Sequence, residues 1–306
     1  MTGPWPSVWH RGQRILLSRA WMGEWAWRQR PAFLRPGARR KAHLWAGPWV
    51  GEFGWELMNW QAFLRALRPH YARITVCARE SSRALYADFC DDFVPHGLRG
   101  HANAHVLFGI HDPAELKRLL AMRPTDCDLL EPMRYIPADA QRFLRFGDAS
   151  RAPEAVDVLL HARGRGLASE RNWSAAKWQE LAGRLLDAGA RVGWIGLPSD
   201  TLDIGIGRDL RGRPLAETLD LLAAARMVAG PSSGPLHLAS LCGTPHLVWT
   251  NRKTYGMGKT SREKYESWWN PLRTPVTVLD NGFDPTVDEV AGLIARQIDA
   301  ARLARP

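Results

Sequence analysis

The chain has 306 residues, 45% of them hydrophobic and 24% charged, which excludes a disordered, collagen-like or disulfide-stapled protein and suits one large or two ordinary globular domains. With 41 Lys and Arg against 31 Asp and Glu the formal charge is +10, a balance that favours anionic partners (a nucleotide-linked substrate, an acidic lipid surface or nucleic acid) without choosing among them. No apolar run reaches the roughly 18 residues of a membrane span and the N-terminus lacks the apolar core of a signal peptide, so a cytoplasmic address is expected.

Residues 1–41 form a basic, aromatic arm that includes Trp5, Trp9, Trp21, Trp25 and Trp27. Two readings stand for it: an interfacial segment on an anionic membrane face, or a helix packed on the protein's own surface with its arginines solvated. From His43 the pattern becomes apolar strand, glycine turn and amphipathic helix. His43 to Val50 reads as a strand, Gly51-Glu52-Phe53-Gly54 as a turn, and Trp55 to Leu67 as a helix with Leu57, Trp60, Leu64 and Leu67 on one face. Ile74 to Ala78 and His105 to Phe108 read as strands; Ser81 to Cys90, Pro113 to Met122 and Pro137 to Phe146 read as helices. Gly147 to Pro153 reads as a linker.

A second series follows: strand Val156 to His161, helix Ala175 to Ala188, strand Arg191 to Ile195, helix Leu215 to Arg226 and strand Met227 to Ala229. It continues with helix Pro235 to Leu241, strands His246 to Thr250 and Val276 to Leu279, and helix Thr286 to Leu303. Such alternation predicts parallel sheets covered on both faces. The expected fold is α/β: two Rossmann-like domains, 42–150 and 151–306, facing each other across a cleft, after the arm of 1–41.

Four places carry chemistry. The stretch Val228 to Thr250 is a strand, a turn of small residues (Gly230, Pro231, Ser232, Ser233, Gly234) and a helix opened by Pro235, an arrangement that presents free N–H groups and a helix dipole to an anion. His237 falls in that helix's first turn. In the first domain, Glu52 and Glu56 lie where a strand meets its helix, and a carboxylate there can take a proton from an attacking hydroxyl. After strand Val156 to His161 come Arg163, Arg165, Arg171 and Lys177, four cations in fifteen positions, able to clamp a diphosphate. Tyr255, Tyr265, Trp268 and Trp269 offer flat surfaces for a base or sugar, or a cap on the core. The cations are spread over several loops rather than one stripe, so nucleic acid is not expected as a partner. Cys77, Cys90, Cys127 and Cys242 form no C-x-x-C pair, and no histidine or acidic spacing suits a metal, so neither a disulfide framework nor a metal site is expected.

The segment Asp209 to Thr250 resembles glycosyltransferase family 9, the ADP-heptose type. Ser233, Gly234, Pro235, His237, Leu238, Ala239, Gly243, Thr244 and Pro245 match its D-S-G-P-x-H-x-A loop and following G-T-P. Arg171-Asn172-Trp173 is similar to its basic-x-Trp, and Gly51 to Pro69 to its N-terminal glycine turn and helix. The sequence departs from the family twice: Ser232 stands where the family has an acidic residue that helps hold the donor sugar, and Gly54-Trp55 replaces a Gly-Asp whose Asp is the base. The resemblance implies a GT-B fold and an inverting, metal-independent sugar transfer in cell-envelope (lipopolysaccharide-type) synthesis. It implies no cofactor beyond a nucleotide-sugar donor, held in the C-terminal domain by Ser232, Ser233, Gly234, Pro235 and His237 with Arg163, Arg171 or Lys177. A glycan or lipid-linked acceptor would lie in the N-terminal domain, with Glu56 before Glu52 as catalytic base. Polysaccharide pyruvyl transfer and a non-catalytic nucleotide- or glycan-binding role are the alternatives.

Overall fold

A computed structural model describes residues 31–98, 112–132, 136–255 and 258–303, Pro36 excepted. The strand expected at His105 to Phe108 and the arm through residue 30 lie outside the described residues. The described chain falls into two compact units, one drawn from Met1–Arg142 with Tyr255–Gly258, the other from Phe143–Thr254 with Lys259–Pro306.

The first unit has a parallel sheet of β1 (His43–Ala46), β2 (Arg73–Ala78), β3 (Asp92–Pro95) and β4 (Asp128–Leu130), in the order β3-β2-β1-β4. β1 stops four residues short of the expected end because the chain turns at Gly47. A Cβ there would stand 2.2 Å from the Cys77 carbonyl oxygen, and its φ of 112° is open to glycine. Helix α1 runs continuously through Phe53–Trp55, a π-type turn at Glu56–Trp60, and Gln61–Leu67. Its predicted apolar face is buried, and Trp60 stacks on Trp49 at 5.6 Å. Helix α2 (Pro113–Ala121) starts on Asp112, whose side chain accepts from the Glu115 N–H.

Short strands β3 and β4 were too brief to show periodicity; pairing to their neighbours defines them. The helix expected at Ser81 to Cys90 is a 3-10 segment, Glu80–Leu85, followed by turns. The helix expected at Pro137 to Phe146 does not form beyond the 3-10 turn Ala138–Ala140. Backbone donors of that segment go to other elements instead, Arg142 to the Ala62 carbonyl and Phe146 to the Leu241 carbonyl, both at 2.9 Å.

The second unit holds six parallel strands: β5 (Val158–Leu160), β6 (Val192–Trp194), β7 (Arg208–Asp209), β8 (Met227–Pro231), β9 (His246–Trp249) and β10 (Val276–Leu279). Their order is β10-β9-β8-β5-β6-β7. The helices are α3 (Ala175–Asp187), α4 (Leu215–Ala224), α5 (Gly234–Cys242), the short α6 (Ser261–Tyr265) and α7 (Val287–Leu303). β5, β6, β8 and β9 are buried along their whole length, as strands covered on both faces must be. One side of the core is a tryptophan quartet: Trp173 and Trp249 at 4.8 Å, Trp178 at 5.0 and 5.5 Å from these two, and Trp194 at 5.8 Å from Trp178. α3 adds Leu181 and Leu185 and α7 adds Val290, Ile294 and Ile298, each aliphatic side chain contributing about 1.5–3 kcal/mol by leaving water. The four cysteines are free thiols. Among the described residues no helix is long and apolar enough to cross a membrane.

Candidate functional site

In the second unit the strand order reverses between β5 and β8, so the loops leaving their carboxyl ends part company and open a crevice, the place where ligands of open α/β sheets bind. The two tips are level, with the His161 N–H on the Ala229 carbonyl at 3.0 Å. Two stretches singled out in the sequence, Arg163 to Lys177 and Ser232 to His237, leave this one edge.

Ser233 is the N-cap of α5, extended at φ −164°, and makes no side-chain capping bond; Pro235 occupies the first turn, and Gly243, at φ 75°, ends the helix. The Ser232 N–H bonds the Trp249 carbonyl at 3.0 Å, fixing the turn against β9. Tyr265, fully buried on α6, donates its hydroxyl to Ser232 Oγ at 3.0 Å and is hydrogen-bonded by the Ser233 backbone. His237 is 8% exposed, stacked on Tyr265 at 5.2 Å and tilted against Trp269 at 4.8 Å. Burial, then the charge of His246, pushes its pKa down to about 3, so the imidazole is neutral at physiological pH. Ser233 Oγ, His237 Nδ1 and Thr250 Oγ1 are buried without a hydrogen-bond partner. Native interiors rarely leave such groups unpaired. The turn therefore offers neutral polar groups and the positive end of a nine-residue helix.

The basic loop is less free than its composition implies. Arg163 is buried, and its guanidinium closes the loop on itself by donating to the Ala168 carbonyl at 2.9 Å, to the Leu167 carbonyl and to Asn172 Oδ1. Burial lowers its pKa, followed by repulsion from Arg165 and Arg171. Lys177 pairs with Asp284 and donates to the Pro285 carbonyl, strapping α3 to the start of α7. Arg171 lies over the Phe283 ring at 5.1 Å, its buried Nε without a hydrogen bond and its nearest carboxylate, Glu170, at 3.9 Å. Arg165 stands 3.6 Å from Asp200 and is exposed. Of the four cations, Arg163 and Lys177 hold structure, and Arg165 and Arg171 keep charge to offer.

In the first unit the two carboxylates have opposite surroundings. Glu56, in the π-type turn of α1, is fully buried and accepts from Tyr86 Oη at 2.8 Å, Ser82 Oγ at 3.0 Å and Arg79 Nη2 at 3.3 Å. Burial raises its pKa, against the lowering by Arg79 and these bonds. Arg79 Nη2 also donates to the Gly51 carbonyl at 2.6 Å. Glu52, the next residue after Gly51, is exposed and caps no N–H with its side chain. Sequence reasoning missed Arg79, Tyr86 and Ser82 because their partnership with Glu56 spans 23 to 30 positions. It did name Tyr265 and Trp269; both serve as a cap over the α5 turn rather than as an open stacking face. Among the described residues no group of three or more His, Cys, Asp or Glu is placed to hold a metal ion.

No protein-family model and no curated protein matches this sequence. Solved structures do. A glycosyl transferase of family 9 from Veillonella parvula superposes with a TM-score of 0.60, over 85% of this chain and 97% of its own, at 11% identity. The ADP-heptose lipopolysaccharide heptosyltransferase II of E. coli superposes with a TM-score of 0.54, over 85% of this chain and 99% of its own, at 16% identity. The likeness establishes a shared fold, and it meets at that level the resemblance read from Asp209 to Thr250.

Proposed function

We propose that this chain is a glycosyltransferase of the GT-B type, moving a sugar from a nucleotide-sugar donor to a glycan or lipid-linked acceptor with inversion and without a metal ion. The observation that carries the reading is the Ser232 to His237 turn, with its unpartnered buried Ser233 and His237 atoms, at the strand reversal of a fold shared with two glycosyltransferases.

In this reading the second unit takes the donor. Its diphosphate rests on the first turn of α5, meeting the Gly234 N–H, the Ser233 hydroxyl and the helix dipole, with Arg171 and Arg165 supplying charge and Arg163 shaping the loop. As the bond to the anomeric carbon breaks, its electron pair leaves with the diphosphate, and these fixed donors stabilise the charge that grows there. Ser232 offers the sugar a neutral hydroxyl, oriented by Tyr265, in place of a carboxylate. The first unit takes the acceptor, and the base is Glu52, the exposed one of the two carboxylates, which removes the proton of the attacking hydroxyl. Glu56, sealed among Tyr86, Ser82 and Arg79, holds the Gly51 turn through Arg79. The enzyme works at the cytoplasmic face of the membrane in cell-envelope glycan synthesis, its basic arm of residues 1–41 on anionic lipid.

Purified protein titrated with a panel of nucleotide sugars is expected to bind at least one and to hydrolyse it slowly in the absence of acceptor. Binding without turnover of donor or acceptor identifies a non-catalytic binding protein instead, and no binding by any member overturns the reading.

A further inference from the structure

The loop that leaves β5 is folded largely by side-chain bonds. The Arg163 guanidinium donates to the Ala168 carbonyl at 2.9 Å, to the Leu167 carbonyl and to Asn172 Oδ1, and Asn172 Nδ2 in turn donates to the Arg165 carbonyl at 2.8 Å. The backbone adds the Arg171 N–H to the Ala168 carbonyl at 3.1 Å and the Asn172 N–H to the Ser169 carbonyl at 2.9 Å. The carbonyls of Arg165, Leu167, Ala168 and Ser169 are thus engaged within the loop, whereas none of the N–H groups from Arg165 to Glu170 donates to another described residue. Ala168 is held in the left-handed region at φ 56°, which a residue with a Cβ keeps only where its surroundings impose it.

A carboxamide suits position 172 because it accepts at one atom and donates at the other, whereas a carboxylate of the same shape only accepts. Charge in the loop is poorly balanced. Arg163 is buried and its acceptors are all neutral, while Arg165 and Arg171 repel it. The loop's nearest carboxylates stand at its neighbours, Asp200 at 3.6 Å from Arg165 and Glu170 at 3.9 Å from Arg171. An anion brought here relieves that repulsion and meets backbone donors that have no other partner in the loop. We infer that Asn172 is a positioning residue for the donor's diphosphate: together with Arg163 it holds the loop of residues 165–170 in its anion-binding form before the ligand arrives. Binding there then needs no further ordering of the chain. The role rests on the donor reading, which names the anion.

The test titrates inorganic diphosphate and a series of nucleoside diphosphates into the full chain by calorimetry, for the wild type, Asn172→Ala and Asn172→Asp. Timed trypsin digestion read by mass spectrometry follows cleavage after the exposed Arg165 against cleavage at the other sites. Asn172→Ala is expected to weaken diphosphate binding about five- to tenfold, the scale of ordering one short loop on binding, and to speed cleavage after Arg165 alone. Because this variant also takes an acceptor from buried Arg163, Asn172→Asp guards against a protein that fails to fold. It keeps a charged acceptor for Arg163 and loses only the donor to the Arg165 carbonyl. Compared with wild type in about 0.5 M salt, where its added charge is largely screened, it is expected to show the same weakening at an unchanged Tm. Affinities of both variants within about twofold of wild type, or cleavage that speeds equally at every site, overturn the inference and leave the donor reading standing. A wild type that binds neither inorganic nor nucleoside diphosphate overturns the donor reading, and the inference with it.

Discussion

Exchanging each first-unit carboxylate for its amide separates a base from a residue that holds the base in place. In Glu56→Gln, the carboxamide accepts at one position only. The Tyr86 and Ser82 hydroxyls, at 2.8 and 3.0 Å, can rotate to accept from the new NH2, but Arg79 at 3.3 Å cannot and loses its buried counter-charge. Arg79 is 33% exposed, so water replaces part of what is lost and the net cost is about 1–3 kcal/mol. For a unit of this size that lowers Tm by roughly 3 to 10 °C. Glu52→Gln touches an exposed side chain and should leave Tm within about 1 °C. Turnover should order the two the other way. Removing the base costs about 10²- to 10⁴-fold in kcat, whereas Glu56→Gln acts through a displaced Gly51 turn and should cost on the order of tenfold. Scanning fluorimetry and single-donor turnover, both on the full chain, read these numbers. Loss of turnover in Glu56→Gln at unchanged Tm, together with an active Glu52→Gln, would refute the assignment.

Two further outcomes are expected. Tyr265→Phe removes a buried hydroxyl bonded to Ser232 and to the Ser233 backbone; calorimetry should show nucleotide-diphosphate affinity falling about fivefold, with about 1–3 kcal/mol of stability lost. Asp157 is held to a pKa of about 2, against an ordinary 3.8, first by its hydrogen bonds from Arg191. A depressed carboxylate contributes stability that is present above its unfolded pKa and lost as pH falls through its folded one. Urea titrations of Asp157→Asn should therefore show lower stability at pH 7 and a flatter decline than wild type between about pH 4 and pH 2; parallel curves count against that role.

Long, strongly periodic elements were legible in the sequence: the α1 stripe, α3, α4 and the β8-turn-α5-β9 run all fall within a few residues of their expected places. What failed was decided by tertiary partners. β3 and β4 exist because β2 and β1 offer them hydrogen bonds, and residues 141–146 form no helix because Ala62 and Leu241 take the Arg142 and Phe146 donors. The same holds for the site. The small residues from Gly230 to Gly234 read as a turn that opens a helix, and α5 begins at Gly234 with Ser233 as its N-cap. Burial, by contrast, separated Glu52 from Glu56 and Arg163 from Arg165, and no local pattern encodes burial of one charge in preference to its neighbour. Arg79 illustrates the limit: its meaning lies in Glu56 and Gly51, 23 and 28 positions away.

The tryptophans give the protein an optical property. Four indoles within 4.8 to 5.8 Å of their neighbours in the second unit, and the Trp49–Trp60 pair at 5.6 Å in the first, are close enough to share excitation and to couple in the near-ultraviolet. Each unit thus carries its own coupled set of indoles, and Trp49→Phe removes the pair of the first unit while sparing the quartet of the second. Trp249 takes the Ser232 N–H on its carbonyl at 3.0 Å, so the quartet of the second unit adjoins the turn that opens α5 and doubles as a label-free reporter of changes there.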